Sequence, residues 1–573
     1  AVTTTGVQTY GDAVTLGAGT TLTTTNSDVT FTGTVDGAQA LTVSAGTGKV
    51  SFGWVVGGGT ALTSVSVTST NGGADAITLR SVTTSGAQSY TGNVTLGANT
   101  SLTTTSNGSV SVTGTVSGAQ DLVISANGTG TVSFGGDVTV GATAVGALSI
   151  SAASLSLGAN VDISTAAVNG NISLTVDGFT LGGTNTIDAG SGTVAITPRT
   201  ASYTVEFSPT DTALVTDVYY NSAFTGITAG AFRVGAATHT GTIYVATAAM
   251  TPSYSLTVQN NGSIVLSDSY TASAVNGNLT LDSGAGGIAL TGGTIDLGNG
   301  TFTAQDAATL GLNTTITANG GIVFQSTLDG AQSLTLYGGT GGTVTFTGAV
   351  GGGTPLTGLT VSSASNTIFS STASFNGPVS ITSNEINLNG GASGFSGNNT
   401  LVLEPLTASQ AIAIGGGADS GPGVLDLTSS DIGALVNGFT SITIGSASGT
   451  GTVTVSGAVS FSDPVTIRSP AGAGSITVNA QITGADNASV TLDAGTGGIS
   501  LGANIVTAGN SISLQDPVSV TANISLDTTN GGAVPAGALI NLYGTVDGDV
   551  ADTRQLTLRC GQQTLSIGQA IGG

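Results

Sequence analysis

Gly33 to Val67 reads GTVDGAQALTVSAGTGKVSFGWVVGGGTALTSVSV, and the same pattern returns three more times. Gly114 to Phe134 is GTVSGAQDLVISANGTGTVSF, and Thr327 to Val361 is TLDGAQSLTLYGGTGGTVTFTGAVGGGTPLTGLTV. Gly544 to Gly573 is GTVDGDVADTRQLTLRCGQQTLSIGQAIGG. In each copy short bursts of apolar residues alternate with Thr or Ser and are cut apart by Gly, Asn and Asp. Val50 with Phe52, Val65 with Val67 and Ile77 with Leu79 are examples. A period of two in bursts this short, punctuated by turn residues, is the pattern of short β-strands.

The repeats are nested. Val2 to Tyr10 (VTTTGVQTY) returns as Val82 to Tyr90 (VTTSGAQSY), so residues 1–80 and 81–160 read as related coils. Leu281 to Leu290 (LDSGAGGIAL) returns as Leu492 to Leu501 (LDAGTGGISL), which makes 195–300 and 405–510 related blocks of a superrepeat of about 210 residues. Within these, Leu22, Leu41 and Leu62 recur about every twenty residues, the length of one solenoid coil. At roughly 4.8 Å per coil, some 28 coils make a rod on the order of 130 Å. The reading is one continuous β-solenoid over 1–573, because no Pro-rich or charged linker divides it. Two places look less regular. Residues 199–224, with Tyr203, Phe207, Tyr219 and Tyr220, predict a protruding loop or altered coil, and Ser430 to Leu435 predicts one capped turn of helix.

Composition narrows the function classes. Charged residues are 6% of the 573, against roughly a quarter in an ordinary soluble domain. The hydrophobic content of 39% and the mean hydropathy of +0.35 are too apolar for disorder. The net charge is −23, and the seven basic residues are strewn along the chain, which argues against a nucleic-acid partner. One cysteine permits no internal disulfide. No apolar run of about eighteen residues marks a transmembrane helix.

The GAQ-L-T-V, F-x-G-x-V-G-G-x-T-x-L and NGFTSITIG segments resemble the β-strand-repeat surface proteins of the filamentous-haemagglutinin type. Asp431 to Gly445 and Ser475 to Ala503 also resemble a repeat of very large surface proteins of filamentous cyanobacteria. The resemblance implies a right-handed parallel β-helix exported to the bacterial cell surface, often by two-partner secretion, and acting as an adhesin stalk or fibre. The right hand comes from the resemblance alone.

Candidate chemistry is thin. His239 is the sole histidine and reads as a turn or surface residue; Cys560 stands where sister copies have Gly338 or Ala45 and reads as a small core or turn residue. Some parallel β-helices degrade polysaccharides, which requires paired carboxylates. Glu206, Glu385 and Glu404 are the only glutamates, and Asp36, Asp282, Asp493 and Asp547 recur with the repeat, as architectural residues do. Gly72 to Ile77 resembles part of a calcium-binding nonapeptide, one imperfect copy that leaves room for incidental surface calcium and no dedicated site. The Thr runs at 21–25 and 103–105 suit strand surfaces, the alternative being a flat ice-binding array. Trp54 stands where sister copies have Gly136 and Gly348, and reads as a core residue filling a pocket or as an outward contact. No catalytic, cofactor or metal residue is assigned. The expected function is structural, an extracellular rod, with a polysaccharide-degrading enzyme or a carbohydrate- or ice-binding module as alternatives. Both ends of the sequence carry ordinary repeat, Ala1 to Thr3 in the phase of Ser81 to Thr83 and Gln569 to Gly573 in that of Thr347 to Gly352, so the chain is expected either to stack end to end into filaments or to be a segment of a longer one.

Overall fold

The computed structural model describes residues 1–144, 146–179, 184–208, 218–221 (backbone only), 226–246, 254–272, 276–417, 421 and 423–572. They fall into two compact units, Ala1–Gly287 and Ile288–Gly573. Both are built of short parallel strands wound as a β-solenoid, about 23 turns in all with about 23 residues each and 2% helix.

Each turn of the first unit contributes a strand to each of three sheets. One stacks Val2–Thr4, Thr20–Thr24, Ala40–Ser44, Ser64–Thr68 and Gln88–Thr91. The second stacks Gln8–Tyr10, Val29–Phe31, Val50–Phe52, Ile77–Leu79 and Val94–Leu96. The third runs through Val35, Val56 and Val82 to Thr100–Thr104. In the second unit, Thr294–Asp296, Thr314–Thr317 and Ser333–Tyr337 form one such stack, and Thr301–Ala304, Gly321–Phe324, Thr343–Phe346 and Asn366–Phe369 another.

Alternation decides what is inside. Val29, Phe31, Val50, Phe52, Ile77 and Leu79 are buried, while the Thr or Ser between each pair faces outward. Stacking in register sets like on like. Tyr10, Phe31 and Phe52 stack at 4.9 and 5.2 Å between ring centroids. In the second unit Phe302, Phe324, Phe346 and Phe369 follow at 5.5, 5.6 and 4.7 Å. Such ring pairs contribute about 0.5–1.5 kcal/mol each beyond their buried area.

The coil is longer than the spacing of Leu22, Leu41 and Leu62 suggests, because those leucines are not equivalent. Leu22 pairs with Val43, and Leu41 with Thr20 below and Val65 above. Corner loops differ in length from turn to turn, so a count from leucine to leucine misses them. The 80-residue repeat reproduces a corner rather than a face. Gln8 Nε2 donates to the Val2 and Thr23 carbonyls at 3.4 and 2.9 Å, and Gln88 Nε2 to those of Val82 and Thr103 at 3.2 and 2.9 Å. Tyr10 donates its hydroxyl to Gln8 Oε1, and Tyr90 donates its own to Gln88 Oε1. Yet Val2–Thr4 belongs to the first sheet and Val82–Thr84 to the third, so this repeat moves its corner from one edge of the solenoid to another. Of 199–224, part lies outside the described residues; Val205–Ser208 and Val218–Asn221 are strands paired with each other.

One corner explains the Asn and Gly of the repeat. Asn26, Asn107 and Asn169 each accept, on Oδ1, the amide of a residue one turn on: Thr47, Thr129 and Ser191, at 3.0 Å in every case. The residue just before each of these amides is Gly46, Gly128 or Gly190, with φ of 57, 63 and 60°. A Cβ on any of the three would fall on the asparagine oxygen below. Glycine is thus required both by the left-handed backbone and by the close approach. Gly128→Ala is expected to destabilise the chain by about 1–3 kcal/mol. Gly6→Ala, where a Cβ meets open space, is expected to be neutral within about 0.5 kcal/mol. Thermal melts of the two variants beside wild type check this.

Candidate functional site

The acidic residues of the repeat are engaged in holding turns together. The Gly59 and Thr60 amides donate to Asp36 Oδ1 at 2.7 and 3.0 Å. Those of Gly353 and Thr354 donate to Asp329 Oδ1 at 2.8 and 2.9 Å, and those of Ala142 and Thr143 to Asp121 Oδ1 at 2.8 and 3.3 Å. In each case a carboxylate in one turn caps the Gly-rich corner of the next. Asp547 shares the Val-Asp-Gly context of Asp36 and lies in the strand Val546–Gly548.

Most of the basic residues are likewise occupied. Lys49 Nζ sits 2.5 Å from Asp75, the aspartate of the nonapeptide-like segment, and each carboxyl or ammonium holds its partner in the charged form. Arg233 donates to Gln259 at 2.8 Å, and Gln259 in turn to Asp282 at 2.9 Å, a ladder across three turns. Asp493 stands in register with Arg468, whose Nε donates to the Gly445 carbonyl at 3.1 Å. Arg199 bonds the Gly128 carbonyl, Arg554 pairs with Asp549 at 2.5 Å, and Arg559 lies 3.8 Å from Asp527. Six of the seven basic residues are therefore tied to groups of this chain.

The glutamates do not form one solvent-facing pair. Glu206 is buried within its strand, Glu385 is buried beside Ile386, and Glu404 is half-buried on an outer face where Thr382 donates to it at 3.1 Å. A carboxylate pair that the sequence reading did not single out is Asp463 with Asp486. Burial pushes Asp463 above the usual carboxylate range, the Gly438 and Phe439 amides oppose this, and the charge of Asp486 adds to it. Both are spent on one turn: Gly438 N donates to Asp463 at 3.0 Å and Asn437 Nδ2 to Asp486 at 2.8 Å. The signal was the Asn-Gly at 437–438, a turn that needs a cap. Among the described residues no group of three His, Cys, Asp or Glu is placed to hold a metal ion.

A concavity of about 630 Å³ in the last turns is lined by Val520, Val546, Asp547, Arg554, Leu556 and Ile571, and its one guanidinium is already paired with Asp549. Cys560 is half-buried in a turn, its Sγ donating to the Gln563 carbonyl at 3.2 Å. Within the Thr runs inward and outward positions alternate. Thr24 and Thr104 face inward, and Thr104 donates to the Gly108 carbonyl at 2.7 Å, while Thr23 and Thr103 face outward. The outward hydroxyls form columns: one passes from Thr9 to Thr30, Ser51, Thr78, Thr95 and Ser117, and two run side by side from Thr21 and Thr23 to Thr42 and Ser44, Ser66 and Thr68, and Ser89 and Thr91. Among the described residues no helix is long and apolar enough to cross a membrane.

Burial separates the readings of two residues. Trp54 is 60% exposed, so it fills no core pocket and projects outward. The sister glycines cannot carry such a side chain, since a Cβ at Gly136 would come within 2.7 Å of the Gly114 backbone. His239 closes a turn, its amide donating to the Ala236 carbonyl at 2.9 Å, but it is 1% exposed and so not a surface residue. Burial pushes its imidazole below the usual value, with the Asp177 charge and the Tyr203 backbone pulling the other way. The folded pKa therefore lies below the unfolded value of about 6.5, and the unfolded chain takes up the proton first. His239's contribution to stability is whole above about pH 6.5 and is lost as the pH falls through the folded pKa. Melting temperatures of wild type and His239→Gln, compared from pH 8 to pH 5, are expected to differ by a constant amount above about pH 6.5 and to converge or cross below it.

The chain matches no known protein family, no curated protein and no solved structure.

Proposed function

We propose that this chain is a structural element, a rod that serves as an adhesin stalk or a subunit of a bacterial cell-surface fibre of the filamentous-haemagglutinin kind, without catalysis. The observation that carries the reading is the use of its polar groups. Asp36, Asp121 and Asp329 each cap the next turn, and six of the seven basic residues are bound to carboxylates, carbonyls or amides of the chain itself. A glycosidase would need free paired carboxylates flanking a cleft. In an exported protein, an exterior of Thr, Ser and dispersed Asp would keep an apolar-rich solenoid in solution. Self-association end to end belongs to this reading, since a parallel strand edge pairs readily with a like edge of a second copy.

A second reading, a carbohydrate-binding module, is favoured by Trp54 alone, because an exposed indole stacks on sugar faces. An ice-binding surface would draw on the hydroxyl columns, which are one residue wide where a strand such as Val29–Phe31 presents only its middle residue and two wide where Thr20–Thr24, Ala40–Ser44 and Ser64–Thr68 stack.

The test is a screen of the purified chain against acidic and neutral polysaccharides, with light scattering of the same sample over a wide range of concentration. The structural reading predicts no new reducing or unsaturated ends and a mass that rises with concentration. Cleavage of any polysaccharide overturns it. A monodisperse monomer at every concentration removes the fibre-subunit form and leaves the stalk. Binding on a glycan array that Trp54→Ala abolishes establishes the second reading.

A further inference from the structure

Within the second unit one turn level is built differently from the rest. Most levels are joined to the next by three ladders and, where Val350 replaces a strand between Leu328 and Ala373, by two ladders and a bridge. Val465–Ser469 pairs with Val490–Ala494, Ser475–Val478 with Gly498–Leu501, and Ile482–Gly484 with Ile505–Thr507. Between residues 386 and 435 this fails on two of three sides.

On the first side, Asn366–Phe369 pairs with Ile386–Leu388, and there the sheet stops. The next sheet begins with Leu425–Leu427, out of chain order. The earlier strand Ile412–Ile414 lies above it, between it and Thr452–Val455. The chain has stepped back to fill a space left beneath its own preceding strand. Ile386–Leu388 and Leu425–Leu427 pack together, but no ladder joins them. On the second side, Phe395 is linked to the following turn by a single bridge to Leu435, with the Val436 amide donating to the Phe395 carbonyl at 2.9 Å and the Ser393 amide to the Gly433 carbonyl at 3.1 Å. Only the third side, Val379–Thr382 to Thr400–Glu404 to Ser441–Ile444, is an unbroken ladder.

One carboxylate closes the break. The Leu388 amide, at the end of the interrupted sheet, donates to Asp431 Oδ1 at 2.8 Å. Asp431 is buried in the short helix Ser429–Ala434 and is fixed from the other side: its Oδ2 accepts the Thr428 amide at 2.8 Å and the Thr428 hydroxyl at 2.6 Å. The helix cap and the sheet end thus share one side chain. The same step back occurs in the first unit about 210 residues earlier. There Val218–Asn221 is seated between Val205–Ser208 and the end of Ile172–Phe179, which it meets through the single pair Phe179 with Tyr220.

We propose that the level between Ile386–Leu388 and Leu425–Leu427 is an opening joint of the second unit, the place where its turns part first, and that Asp431 is its latch. Backbone hydrogen bonds between turns run along the stack, so each level is held by the sum of its three ladders, and the level with one intact ladder has the smallest opening free energy. Asp431 acts as a positioning residue, replacing the missing ladder with one charge-assisted bond. A joint of this kind gives a stalk a defined place to yield, and in that sense the inference rests on the structural reading. Its test does not.

Native-state hydrogen exchange of the full chain reads the joint directly, whatever the chain does. The amides of Ile386 and Leu388, which point toward the joint and away from the Asn366–Phe369 ladder, are expected to exchange at least about tenfold faster than those of 476–478 and 499–501, while that of Leu425, which donates to the Ala411 carbonyl, stays protected. Asp431→Ala is expected to speed Leu388 exchange by a further tenfold or so while leaving 476–478 and 499–501 unchanged. If that variant does not fold, Asp431→Asn, which keeps a cap oxygen and loses the charge, is expected to give a smaller increase confined to the same residues. Equal protection at the two levels in wild type, or an increase spread over the whole unit in the variant that folds, overturns the proposal. Polysaccharide cleavage would defeat the structural reading without touching this result.

Discussion

Within each unit, turns rest on one another through backbone hydrogen bonds that run along the stack, and the residues of adjacent strands lie in register at about 4.8 Å. That single constraint reaches into the composition. A side chain that faces outward meets its counterpart directly above and below, so like charges would be held at close range and repel. Charged residues are accordingly 6% of the sequence. Where an aspartate sits within a described ladder, its neighbours are of another kind: Asp36 beside Thr15, Asp329 beside Thr309, Asp493 beside Arg468 and Asp527 beside Arg559. Hydroxyls tolerate stacking on one another and fill the outward positions; aromatic rings do so inside, where offset stacking is favourable.

The corners carry what the strands cannot. A strand pairs only along its length, and the loops between strands must satisfy their own amides across the turn boundary. Asn26, Asn107 and Asn169 do this in one kind of corner, and Asp36, Asp121 and Asp329 in another. The Gly-rich character of the chain follows, because the amide being satisfied belongs to a loop that passes too close for a Cβ. This is a reason for low complexity in a folded protein: a few solutions to the corner problem, used repeatedly.

Much of this was legible in the residues. Bursts of period two divided by Gly and Asn specify short strands, and recurrence of Asp in the same turn context marks it as architectural. The coil length was less legible, since Leu22 and Leu41 look equivalent and stand two residues out of register. Single residues were least legible. Trp54 and His239 occupy corners, where no alternation reports which side faces the core, and their burial is the reverse of what composition favours. The interruption at Ile386–Leu388 was hidden for a different reason. Leu425–Leu427 has an ordinary strand pattern, and only its place beneath Ile412–Ile414 is unusual. The helix was foreseen from Ser430 onward. Its cap is Thr428, and the role of Asp431 at the end of a sheet needs the third dimension.

The central claim is that the carboxylates of the repeat serve cohesion between turns and no chemistry of their own. The most direct measurement is the thermal stability of Asp329→Ala against wild type, since Asp329 accepts two backbone amides of the following turn. Removing such a charge-assisted acceptor is expected to cost about 1–3 kcal/mol and to lower the melting temperature by a few degrees. An unchanged melting temperature would contradict the account, because the aspartate would then be free for some other task.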